Sequence, residues 1–107
     1  MRKEYGVAVV GGGGFNDFGV EVPARMAAKK IYKFIFADTS GAINLCAIQQ
    51  MAADGITVLN TLFVNVGANG HVEIGDDVEP LFELTPGQKL QVDGTANYDL
   101  NMMYEYL

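Results

Sequence analysis

The sequence predicts an all-β protein: an antiparallel β-sandwich of jelly-roll or Ig-like kind over residues 20–107, carried behind a flexible glycine-rich arm, residues 1–19. Three observations lead there. Turn-forming pairs recur roughly every 8 to 12 residues from residue 31 onward. The stretches between them are rich in β-branched and aromatic residues. No stretch carries a long helical period.

The elements follow in chain order. "IYKFIFAD" (31–38) is a strand closed by the turn "TSG", and "AINLCAIQQM" (42–51) is a second, imperfectly alternating one. "ADG" at Ala53 to Gly55 marks a hairpin into "ITVLNTLFVNV" (56–66), the most β-like stretch of the chain. Asn69-Gly70 is the pair favoured by type I′ hairpin turns, and "HVEI" (71–74) follows it. After "GDD", the segment "VEPLFEL" (78–84) carries Pro80, which suits an edge or a strand start. Pro86-Gly87 fits the centre of a type II turn, and Asp93-Gly94 closes "KLQV" (89–92). The last strand, 98–106, alternates Tyr98, Leu100, Met102, Tyr104 and Tyr106 on one face with Asp99, Asn101, Met103 and Glu105 on the other. Strands are thus expected near 31–37, 43–50, 56–65, 71–74, 88–92 and 98–106. The expected core includes Leu45, Ile56, Val58, Leu62, Leu84, Leu90, Leu100 and Met102. "VPARMAAKK" (22–30) is the one helical candidate, a turn or two with Pro23 in the first turn.

At 107 residues the chain has room for one domain plus an arm. Apolar runs are broken by Lys33, Asp38 and Asp54, so no membrane span is expected. The basic-then-apolar opening "MRKEYGVAVV" turns to glycine too soon for a signal peptide. Cys46 is the single cysteine, which rules out an internal disulfide. The net charge of −6 is unevenly spread. Residues 1–33 hold six basic residues against three acids; the rest holds ten acids against Lys89 alone. A basic arm facing an acidic surface, its own or a neighbour's, is one reading of that split; solvated faces are the other. The acidic body would repel phosphate, so no nucleic-acid partner is expected.

The glycine run "GGGGFNDFG" poses the sharpest functional question. A phosphate loop needs spaced glycines, a helix whose N–H groups face the anion, and a lysine followed by Ser or Thr. None of these follows Gly14, so the run reads as a joint between arm and body, and no cofactor is expected. Other chemistry is thin. His71 and Glu73 could share a strand face, but a zinc site wants three or four ligands. Asp76, Asp77 and Glu79 lack the ligand spacing of a calcium loop and read as a turn, so no metal is expected. Ser40 sits in a turn and Cys46 in an apolar run, neither with a base beside it. No catalytic residue is assigned. The arm residues Arg2, Lys3, Tyr5, Val7 and Val9 are the expected oligomer or partner interface, a strand-like segment able to pair with a neighbour's sheet edge; the alternative is that "EYGVAVV" folds back as an edge strand of its own sandwich.

From "ITVLNTLFVN" through "LTPGQKLQV" to the terminal "NMMYEYL", the layout resembles that of small β-sandwich structural proteins of tailed bacteriophages. Capsid decoration, head-fibre and collar or tail components belong to that group. The resemblance spans roughly half the chain and carries no site motif. It implies a non-enzymatic virion part, assembled in the bacterial host cytoplasm as a homo-oligomer that contacts other capsid or virion proteins. The alternative from the same architecture is a small carbohydrate- or surface-binding module.

Overall fold

The computed structural model describes residues 2–107. Among the described residues it forms nine strands and no helix: β1 (Arg2–Val9), β2 (Asn16–Phe18), β3 (Lys29–Asp38), β4 (Asn44–Met51), β5 (Val58–Val66), β6 (His71–Gly75), β7 (Phe82–Leu84), β8 (Lys89–Gly94) and β9 (Tyr98–Tyr106). One sheet runs β1-β9-β3-β6, with β7 also pairing β3; the other runs β2-β8-β4-β5. Every pairing is antiparallel.

The partners nest like one long hairpin. β4 pairs with β5, β3 with β6 and β7, β2 with β8, and β1 with β9. Rolling that ribbon brings β9 against β3 and β8 against β4, which closes the two sheets. This is the strand order of a jelly roll.

One strand position of the roll is shared between β6 and β7. β3 pairs with β7 at Lys29 to Ile31 and with β6 at Lys33 to Ala37, and its register against β9 shifts at that changeover, leaving Tyr32 as a bulge. Gly75 (φ +95°) sits against the bulge, where an added Cβ would lie 2.0 Å from the Tyr32 carbonyl oxygen.

The core lies between the sheets. Ile31, Phe34 and Phe36 of β3, Leu100 and Met102 of β9, and Ile48, Val66, Leu90 and Val92 of the other sheet are buried in it. Phe34 meets Phe82 edge-on, with centroids 6.0 Å apart. Leu84, Leu90, Leu100 and Met102 take the core places expected of them. Leu45, Ile56 and Val58 do not; they are exposed. On β4 the inward set is Asn44, Cys46, Ile48 and Gln50, so Leu45 points to solvent. Gln50 is tolerated inside because it bridges the sheets: its amide donates to Glu83 O at 3.1 Å and to Gln88 Oε1 at 2.9 Å.

Several local expectations need correction. "VPARMAAKK" forms no helix. It makes a turn closed by Met26 N–H to Pro23 O at 3.0 Å, and Lys29 and Lys30 already belong to β3. Asn69 (φ 56°) and Gly70 do not close a two-residue hairpin. The turn spans Gly67 to Gly70 and carries the chain across from β5 to β6 in the opposite sheet. Pro86-Gly87 makes the expected turn, with Gly87 at φ +84° and a 3.0 Å bond from Gln88 N to Thr85 O.

Residues 2–9, read from the sequence as a free arm, run here as β1 along β9, from Arg2 opposite Glu105 to Val9 opposite Tyr98. The glycine run is only partly slack. Gly11 packs so closely on the β8–β9 connection that an added Cβ would lie 2.1 Å from the Ala96 oxygen. Gly13 and Gly14 face open space.

Candidate functional site

The outer face of the β2-β8-β4-β5 sheet divides into two halves. Around β2 and β8 it is polar and internally bonded. Gln49 Nε2 donates to Gln91 Oε1, and Gln91 Nε2 to Asp17 Oδ1, both at 3.1 Å; Lys89 Nζ sits 3.1 Å from Asp17 Oδ2. The amide of Gln91, and after it Lys89, holds the Asp17 carboxyl below its ordinary value.

Around β4 and β5 the same face carries large apolar side chains, interleaved with Asn65 opposite Leu45 and Thr61 opposite Gln49. The β4 alternation puts Ile43, Leu45 and Ala47 outward, and the register sets Phe63 directly opposite Ala47. Phe63 is 78% exposed, Ile43 70% and Leu45 53%. Leu59, further along the β5 edge, is exposed too. A row of large apolar side chains on a sheet face that also ends in an open strand edge is the usual mark of a surface awaiting a partner.

The second open edge on the opposite side of the roll is β1. Its Tyr5, Val7 and Val9 lie opposite the inward Met102, Leu100 and Tyr98: the Tyr5 ring meets Phe18 edge-on at 5.2 Å and Val9 packs against the core, while Tyr5 and Val7 remain partly exposed. Lys3 shares that face, opposite Tyr104. The side chain of Arg2 lies outside the described residues. The expected interface residues are therefore brought together on one strand, but their apolar side chains face their own sandwich, while the outer main-chain edge of β1 has no strand beside it among the described residues.

Several of the residues weighed for chemistry are engaged by neighbours. Ser40 donates through Oγ to Asp38 Oδ1 at 2.6 Å. Asp38 also accepts from the backbone N–H groups of Gly41 (3.0 Å) and Asn69 (2.9 Å) and from Asn44 Nδ2 (3.2 Å). The Ser40 hydroxyl first, then the Asn69 N–H, hold its carboxyl far below the ordinary range. Asn44, fully buried, donates in turn to the carbonyls of Ala96 (2.9 Å) and Asn97 (3.1 Å). This cluster ties the β3–β4, β5–β6 and β8–β9 connections at one end of the roll.

Cys46 is buried beside it, and burial pushes its thiol up to about 11, the opposite of an activated nucleophile. His71 and Glu73 do share the outer face of β6, but Glu73 is taken by Lys33 at 2.8 Å. Asp76 Oδ1 accepts from the N–H groups of Val78 and Glu79, both at 2.8 Å, making the acidic stretch a turn. Among the described residues no group of three or more His, Cys, Asp and Glu side chains could hold a metal.

Sequence reading missed two features. The "DTSG" stretch, a carboxylate two residues before a serine, is the signal that could have pointed to Asp38 as an anchor. Lys29 is buried, which the helical reading of residues 22–30 concealed; in strand alternation it shares a face with Ile31.

No family model matches the chain, and no curated protein matches it as a relative.

Proposed function

We propose that this chain is a non-enzymatic virion structural protein of a tailed bacteriophage, a capsid decoration protein or a related collar or tail component. In this reading it assembles in the host cytoplasm and works in the virion as a homo-oligomer on other capsid proteins. The observation that carries the reading is the exposed apolar row of Ile43, Leu45 and Phe63 on the β4–β5 side of the roll. Such a row is costly to leave in water, and a neighbouring subunit would cover it.

Two further points support it. Jelly rolls are a recurrent architecture of viral capsid proteins. The perturbed carboxylates Asp17, Asp38 and Asp54 are all held low by hydrogen bonds, which suits fixed acceptors better than a general acid. The β1 edge offers a second contact: β1 could leave its own β9 through the Gly13–Gly14 slack and pair with a neighbour's sheet.

The test is co-sedimentation of the purified chain with particles of the phage whose genome encodes it. Saturable binding, weakened by Phe63→Asp, is the expected result. A chain that stays in the supernatant at every concentration, and is absent from the particles by mass spectrometry, would overturn the reading.

A further inference from the structure

On the inner face of the β1-β9-β3 sheet, beside the Gly19–Val20 stretch that leaves β2, lies a cavity of about 210 Å³. Tyr5, Val20, Lys29, Met102, Tyr104 and Tyr106 line it. Its walls are apolar and aromatic, and one group there does not belong in such a place. Lys29 is 3% exposed, on the inward face of β3, directly opposite Tyr106 on one side and Leu84 on the other. Its ammonium lies 4.4 Å from the centre of the Tyr104 ring and 5.4 Å from that of Tyr106.

The aromatic faces attract the cation but carry no net charge. Among the described residues no carboxylate is within ion-pair distance of Lys29 Nζ. Burial alone, with no compensating charge, drives its ionisation below the ordinary lysine value. A further cation stands near the same end: Lys3, opposite Tyr104 in the register. A long side chain that could snorkel to water is instead held inside, over two rings, at the wall of a cavity.

We propose that this cavity is a binding site for a small monocarboxylate with a short apolar body, whose carboxylate pairs with Lys29 and whose body stacks on Tyr5, Tyr104 and Tyr106. An anion supplies the missing counter-charge. The ring faces and Met102 supply the apolar contact, and the volume limits the body to one ring or a short chain, below the roughly 300 Å³ of drug-sized pockets. Tyr5 comes from β1, so an occupied cavity also holds that strand on the roll. The carboxylate could come from a free acid or from the C-terminus of a neighbouring polypeptide. The chemistry is the same for both.

The test is an NMR titration of the full-length protein, labelled at the lysine ε-carbons and tyrosine rings, with hexanoate and benzoate, and with hexanamide and benzamide as uncharged matches. Saturable shifts of the Lys29, Tyr104 and Tyr106 signals are expected with the acids at millimolar concentration, at least tenfold weaker with the amides. Because an anion favours the charged ammonium, the Lys29 titration should move to higher pH when the acid is bound. Lys29→Met should abolish the acid's advantage over the amide. If that variant does not fold, the acid–amide comparison on the wild type decides alone. A short peptide ending in free or amidated leucine separates the sources: tighter binding of its free form than of hexanoate assigns the site to a chain end, and weaker binding to a free acid. Equal binding of acids and amides, or no saturation by either acid, overturns the proposal.

Discussion

Tyr98→Phe should make the protein more stable, although it removes a polar group from the core. Tyr98 opens β9 on its inner face and is fully buried. Its ring packs against Phe36, with centroids 5.9 Å apart, and fills the space beside Gly94, where an added Cβ would come within 2.5 Å of it. Its hydroxyl has no hydrogen-bond partner among the described residues. A buried, unpaired hydroxyl costs about 1–3 kcal/mol relative to its hydrated state in the unfolded chain. Phenylalanine keeps the ring contacts and removes that penalty, so a gain of about 1–2 kcal/mol is expected. For a domain of this size that corresponds to a rise in Tm of roughly 4–16 °C.

Urea and thermal unfolding, followed by circular dichroism, measure it. The difference should also grow in alkali. Burial, and to a lesser extent Cys46 and Asp93, push the Tyr98 hydroxyl above its ordinary value of 10.0. A folded-state value above the unfolded one means that the unfolded chain ionises first, so wild-type stability is lost as pH rises past 10 while the variant keeps its share. A variant less stable than wild type by about 1 kcal/mol or more would refute the reasoning. It would mean that the hydroxyl has a partner, such as a buried water.

Leu100→Ala empties a fully buried place between the sheets and should cost about 2–5 kcal/mol; an unchanged urea midpoint would show that the core does not close around it. Asp38, held low by Ser40 and by the Asn69 N–H, contributes stability that is complete above the ordinary value of 3.8 and is lost as pH falls below it. In Asp38→Asn that acid-side loss should flatten, which paired acid-unfolding curves will show. Deleting residues 1–14 strips β1 from β9 and uncovers Phe18, so earlier melting is expected. An unchanged Tm would instead mean that β1 does its pairing elsewhere.

The architecture was legible because turn chemistry is local. Asp54 in its hairpin accepts from Ile56 N and Thr57 N, both at 2.8 Å, and Gly87 takes the positive φ that its turn requires. Such signals mark where strands stop, whatever the tertiary structure does. Parity was harder. On β4 the polar Asn44 and Gln50 face inward because each finds bonding partners there, and Leu45 is turned out. Apolar character alone points the other way. Ile56 and Val58 fail for a different reason: Ile56 belongs to the Asp54 turn and Val58 only opens the edge strand β5, so both are exposed. Asn69-Gly70 suggests a hairpin because its chemistry does not say whether the next strand joins the same sheet or the facing one. The pocket around Lys29 depends on Tyr5, Lys29 and Tyr104, which lie far apart in sequence and meet only once the ribbon is rolled.

Sedimentation equilibrium of the wild type and of Phe63→Asp, each across a wide concentration range, most directly tests whether the apolar face on β4 and β5 is an assembly surface. The wild type should self-associate, and the aspartate should weaken that association by at least about tenfold, with its Tm unchanged because Phe63 stands outside the core. A wild type that stays monomeric throughout, or a variant that associates just as tightly, would contradict it.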